Sequence, residues 1–117
     1  MSSVQQQMRK GTTTVMILKL LADAGEPLHG YQIIQDLEQR SDGYFEFKEG
    51  LVYPRLHQME REGLLRSQWE GKPGTRRRKL YSLTETGQRR LKEELAQWRV
   101  FSTTMDQMLG TVPRPTS

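Results

Sequence analysis

The sequence predicts a mostly α-helical domain with one small β-hairpin and a long helix at its C-terminal end. Three observations carry that prediction. Apolar residues recur at helical spacing in three successive stretches before residue 64. Two short alternating stretches, 64–70 and 77–83, flank Gly71-Lys72-Pro73-Gly74, which has the composition of a turn between strands. From residue 84 an apolar stripe repeats every seven residues through one uninterrupted helical pattern. Three helices, two strands and a long helix make a winged helix-turn-helix with a C-terminal helix appended.

The elements follow in order. Residues 1–10 are polar and read as a flexible arm, closed by Arg9 and Lys10. Thr12 or Thr13 is the expected cap of the first helix, whose apolar face is Val15, Ile17, Leu18, Leu20 and Leu21. Gly25 ends it, with Pro27 just beyond. Leu28-His29-Gly30-Tyr31 is expected to open the second helix, which buries Ile33, Ile34 and Leu37 and stops at Ser41-Asp42-Gly43. Phe45 and Phe47 share one side of a short connector. The third helix begins near Lys48 or Glu49 and turns Val52, Leu56 and Met59 inward. Its outer face is then Leu51, Arg55, Gln58 and Glu62, flanked by Tyr53, Pro54 and His57. Pro54 removes one backbone donor and is expected to bend or loosen the first turns, and Gly63 ends the helix. The helix-turn-helix and hairpin fill 11–83, the last helix 84–109 with Thr84 as its cap, and 110–117 is a disordered tail. That helix measures about 37 Å at the usual rise per residue.

The chain has 117 residues, enough for one small domain. Only 34% of them are hydrophobic, and the mean hydropathy is -0.77. One copy therefore has a modest core, which a second copy could help complete. No apolar run approaches the ~18 residues that cross a bilayer, and no secretory leader is evident, so the expected compartment is the cytoplasm. Cysteine is absent, which excludes disulfides, a cysteine nucleophile and cysteine-ligated zinc. No metal site or cofactor is expected, since His29 and His57 are the only histidines and no carboxylate–histidine spacing completes a site.

Charge is unevenly placed. The chain carries +4 overall. Residues 66–79 hold Arg66, Lys72, Arg76, Arg77, Arg78 and Lys79 against the single acid Glu70, a local balance of +5, and the rest of the chain is at −1. A surface charged this way favours polyanions.

Several motifs, in order, resemble one known family. Lys10-Gly11-Thr12 and Ile17-Leu18-Lys19-Leu20-Leu21 are similar to the opening pattern of the PadR-like transcriptional regulators. Leu28-His29-Gly30-Tyr31-Gln32-Ile33 is similar to their second-helix signature. Gly50-Leu51-Val52-Tyr53-Pro54-Arg55-Leu56, continuing through Met59-Glu60 to Gly63-Leu64, resembles the recognition helix. The stretch from Arg76 to Thr84, ending in Tyr81-Ser82-Leu83-Thr84-Glu85-Thr86-Gly87, resembles the wing. The resemblance covers about residues 9–90. It implies dimeric, DNA-binding bacterial repressors, many of them responsive to small aromatic or hydrophobic effectors. The single C-terminal helix looks like the compact branch, in which a tryptophan of this helix lines a flat cavity between subunits. Trp98 stands at a matching position. Leu51 and Arg55 depart from the small residues common at their positions, so no target sequence carries over.

The candidate DNA-contacting residues follow from helix, wing and resemblance together: Lys10, Tyr31, Leu51, Tyr53, Pro54, Arg55, His57, Gln58, Lys72, Arg76, Arg77, Arg78 and Lys79. Tyr53 suits a phosphate and Leu51 a thymine methyl. Arg55, His57 and Gln58 suit base edges or backbone, each good bidentate pair worth about 1–3 kcal/mol of discrimination. Alternate wing residues face opposite sides, so one parity meets DNA and the other is free to pair with acids of its own subunit. The candidate dimer and effector residues are Leu91, Leu95, Trp98, Phe101, Ser102, Met105 and Leu109. Leu91, Trp98 and Met105 repeat at seven, as do Leu95, Ser102 and Leu109; Phe101 and Met108 widen the stripe. Ser102 beside Trp98 leaves room for a flat ligand between paired indoles.

The expected partners are thus a pseudo-palindromic DNA operator, a second copy of the chain and a flat aromatic or hydrophobic effector, with no membrane. The rival is a winged helix that binds only protein, against which the cationic wing argues. An enzyme is disfavoured by the lack of a phosphate-cradling glycine loop or a nucleophile–base pair.

Overall fold

The computed structural model describes residues 3–111, with side chains described from residue 11. Its elements are α1 (Ser3–Ala24), β1 (Leu28–His29), α2 (Gly30–Arg40), α3 (Glu49–Arg61), β2 (Leu65–Glu70), β3 (Arg78–Leu83) and α4 (Glu85–Leu109). The three strands form an antiparallel sheet in the order β1-β3-β2. No described helix is long and apolar enough to cross a membrane.

Two expectations at the start of the chain are corrected. Residues 3–10 continue the first helix, so the arm is helical from Ser3, and Thr12 and Thr13 lie within α1 instead of capping it. Leu28-His29 is a strand and not the opening of α2. Leu28 pairs with Tyr81 and His29 with Leu80. This pairing is nonlocal, which is why no local pattern announces it. The helix proper starts at Gly30, where the Gln32 side-chain carbonyl accepts the His29 backbone N–H at 2.9 Å.

The core is built where the periodicities place it. Ile17 and Leu18 of α1, Ile33 and Leu37 of α2, and Val52, Leu56 and Met59 of α3 are buried around Tyr81 of β3. Phe47 is buried and Phe45 half-buried, their rings 6.1 Å apart. The connector thus seals one end of the core, as its shared parity requires.

The junction from α3 through the wing to α4 rests on two residues. Gly63 adopts φ 79°, a left-handed conformation that glycine reaches without steric cost. Its N–H bonds to Glu60 O at 3.0 Å, and Leu64 N–H bonds to Met59 O at 2.9 Å, which closes α3 as a Schellman motif. Thr84 then caps α4 by accepting Gly87 N–H at 2.9 Å. Its hydroxyl donates to Gly63 O at 2.6 Å. One side chain therefore ties the end of α3 to the start of α4. The last helix ends at Gly110, which takes φ 73°. Residues 112–117 of the expected tail lie outside the described residues.

Candidate nucleic-acid interface

The recognition helix presents a different outer face from the expected one. Val52, Leu56 and Met59 are fully buried, as read. The residues opposite them at helical spacing are Pro54, His57 and Arg61, all exposed. Arg55 instead lies on the flank, half-buried, with its Nε buried and without a hydrogen-bond partner among the described residues. Leu51 is likewise half-buried. The predicted outward projection of Arg55 is therefore corrected: at about 100° per residue it sits nearer the core stripe than to its opposite side, whereas Leu51 lies on the flank. Arg61 was missed, although the i, i+3, i+7 series through Pro54 and His57 points to it. Its Nη2 donates to Gln58 Oε1 at 2.6 Å, and Gln58 Nε2 donates to Glu62 Oε2 at 3.0 Å. Gln58 is thus already oriented by its neighbours. The helix runs unbroken from Glu49 to Arg61, with Pro54 inside it.

Tyr53 is seated on the second helix. A Cβ on Gly30 would stand 2.5 Å from the Tyr53 ring, so only glycine admits that ring. Burial raises the Tyr53 phenol above its ordinary value, with Glu49 adding to the effect. The phenol remains a neutral hydrogen-bond donor. Tyr31 lies exposed near the start of α2. Lys10 lies outside the residues whose side chains are described.

In the wing, β2 and β3 pair in register from Leu65 opposite Leu83 to Glu70 opposite Arg78. Lys72, Arg76, Arg77 and Arg78 are exposed around the turn. Thr75 closes that turn, its hydroxyl donating to Lys72 O at 2.6 Å. Among the described residues, Arg76, Arg77 and Arg78 take part in no ion pair. Lys79 differs: its Nζ is 3.1 Å from Glu60 Oε1 on α3. Parity alone does not sort the wing cations, since Arg77, two residues before Lys79, is exposed and has no ion pair among the described residues. Glu70, the sole acid of the basic segment, lies 3.0 Å from His29 Nε2 on β1.

The C-terminal helix divides into two parts. Leu91 is buried and Leu95 half-buried against the chain's own core. Both were expected in an intersubunit seam; Leu91 is instead covered by its own domain, while Leu95 is covered by it in part. From Trp98 onward the apolar residues are uncovered: Trp98 is 56% exposed, Phe101 49% and Leu109 65%. Met105 is exposed as well. The Trp98 and Phe101 rings lie 5.6 Å apart. The Ser102 hydroxyl donates back to Arg99 O at 3.3 Å. A shallow apolar groove missed by the heptad reading is lined by Ala96, Gln97, Val100, Phe101 and Thr104.

Comparison with known proteins agrees with this arrangement. Residues 17–93 match the model of the transcriptional regulator PadR-like family. The chain is similar to a PadR-like transcription factor from Bacteroides fragilis, 32% identical, with a TM-score of 0.76 over 92% of this chain and 99% of that one. It is similar to a PadR family transcriptional regulator from Eggerthella lenta at 31% identity and a TM-score of 0.72, covering 92% and 87%. A PadR-like transcriptional regulator from Bacillus cereus is 29% identical with a TM-score of 0.73, covering 88% and 96%. By sequence and by fold, the chain belongs to the PadR-like transcriptional regulators, a family of DNA-binding regulators and not of enzymes.

Proposed function

We propose that the protein acts as a homodimeric, sequence-specific repressor released from its operator by a flat aromatic or hydrophobic ligand. The observation that carries the DNA reading is the wing tip. Arg76, Arg77 and Arg78 are exposed there and, among the described residues, unpaired with acids, and α3 separately exposes Pro54, His57 and Arg61. Cations held free of local acids attract phosphates and release the counterions condensed on them. The ridge enters a major groove, where His57 and Arg61 reach base edges, while Lys72 and the wing arginines contact the adjoining backbone.

Pairing is supported by Trp98, Phe101, Met105 and Leu109, an apolar stripe that this chain alone leaves in water. Two copies joined there would set two recognition helices on a pseudo-palindromic operator, with half-sites about one helical turn apart. A ligand between the Trp98 rings would release DNA only by favouring one of two dimer geometries.

The test is fluorescence anisotropy with DNA from immediately upstream of the protein's own gene, beside a scrambled duplex, across salt. Selective binding with a steep salt slope supports the reading. Equal, weak binding to both duplexes would refute sequence-specific recognition of that DNA. Absence of binding at low salt would transfer the fold to a protein-interaction role. For the ligand, planar cationic dyes should quench tryptophan emission in the wild type and not in Trp98→Ala.

A further inference from the structure

Glu60 lies on α3 but on the flank that meets the hairpin, and it holds both strands. The Ser67 hydroxyl of β2 donates to Glu60 Oε2 at 2.5 Å. Lys79 Nζ of β3 lies 3.1 Å from Glu60 Oε1. Ser67 pairs with Tyr81 and Trp69 with Lys79 across the hairpin, so these four residues share one face. The Lys79 ammonium sits 5.9 Å from the Trp69 ring centre and 5.5 Å from that of Tyr81. Among the described residues, the Glu60 contacts are the only side-chain hydrogen bonds or ion pairs between α3 and the hairpin.

A winged-helix reader must present two surfaces to one rigid duplex. If the hairpin pivots about the α3–β2 turn, the wing has to be ordered on binding, and affinity falls. A carboxylate that grips one residue from each strand removes that freedom. It also satisfies the Lys79 charge locally, whereas Arg77 has no such partner.

We infer that Glu60 is a positioning residue: through Ser67 and Lys79 it sets the angle between the wing and the recognition helix, and it withdraws Lys79 from the phosphate-contacting set. This rests on the DNA reading proposed above. It assigns opposite roles to two wing cations that look equivalent in the sequence.

The experiment measures binding of a short, fluorescein-labelled duplex of random sequence by anisotropy, from about 50 to 200 mM salt. It compares wild type, Lys79→Met and Arg77→Ala, all as full chains. Lys79→Met should lower affinity about three- to tenfold at every salt concentration while keeping the wild-type salt slope. Arg77→Ala should lower the slope by about one. In a Trp98→Phe background, Lys79→Met should also change Trp69 emission of the DNA-free protein, because it removes the cation from the indole face. Should Lys79→Met fail to fold, Ser67→Ala removes one grip with all charges kept, and should weaken binding at unchanged slope. A slope loss in Lys79→Met equal to that of Arg77→Ala overturns the inference, as does unaltered affinity in a folded Lys79→Met or Ser67→Ala protein. Wild-type protein that binds no duplex at low salt instead refutes the DNA reading on which the inference rests.

Discussion

Replacing Gly87 by alanine should destabilise the protein even though alanine is the better helix former. Gly87 is buried in the first turn of α4. A Cβ there would overlap the Leu64 carbonyl oxygen and stand 3.0 Å from Leu83 Cδ2. The Leu64 carbonyl cannot retreat freely. The Leu64 N–H is held by Met59 O at 2.9 Å, and its oxygen accepts Thr84 N–H at 3.2 Å. Moving it loosens the end of α3 and the start of α4 together. Helix propensity favours alanine by about 1 kcal/mol. Against that stand overpacking, about 1–3 kcal/mol, and a weakened Thr84 cap, about 1 kcal/mol. The clash is with main chain, so the upper part of the overpacking range applies. The net expectation is a loss of about 2–3 kcal/mol, or roughly 10 °C in Tm for a domain of this size. Thermal and urea unfolding followed by circular dichroism, at one fixed protein concentration, would measure it. A lower urea midpoint with an unchanged slope is expected. An equal or higher Tm would show that the α3–α4 junction yields without cost, and would refute the reasoning.

Thr84→Ala removes both the α4 cap and the bond to Gly63 O. Calorimetry should show a loss of about 1–2 kcal/mol, and a change within error would contradict the cap's assigned weight. Trp98 keeps 56% of its surface exposed, so its burial in a dimer would remove on the order of 100 Å² from water in each copy, about 2–3 kcal/mol per copy. Trp98→Ala should accordingly raise the dimer dissociation constant by at least a hundredfold in sedimentation equilibrium, whereas an unchanged constant would remove Trp98 from the interface. The Glu60 carboxyl is held below its ordinary value by the Ser67 hydrogen bond first, and then by Lys79 against the cost of desolvation. A lowered folded-state value means that its stabilisation is complete above the ordinary carboxylate range. It is lost as pH falls through the lowered value. Glu60→Gln should flatten that part of the acid limb of stability, and identical acid limbs in the two proteins would count against the Ser67–Glu60–Lys79 contact.

The parts of the fold legible in sequence are those set by neighbours along the chain. Gly63 closes α3 because a left-handed residue is needed after the last helical carbonyls, and Thr84 caps α4 by reaching an amide three residues on. Val52, Leu56 and Met59 face inward because their spacing matches the helical repeat. The concentration of cations between residues 66 and 79 was visible for the same reason, since the hairpin keeps them together whatever the rest of the chain does.

The sequence by itself determined the three-helix core, the hairpin, the long C-terminal helix and the basic wing, all from contacts spanning a few residues. Tertiary structure decided which of those residues remain available. It made a strand of Leu28-His29 by pairing it with β3, buried Leu91 in the chain's own core and packed Leu95 against it. It also separated Lys79 from its neighbouring arginines by bringing Glu60 within 3.1 Å of it. The physical reason is common to all three. Spacing along a helix or strand says which residues share a side, but whether that side meets water, an acid or another strand depends on segments far away in the chain.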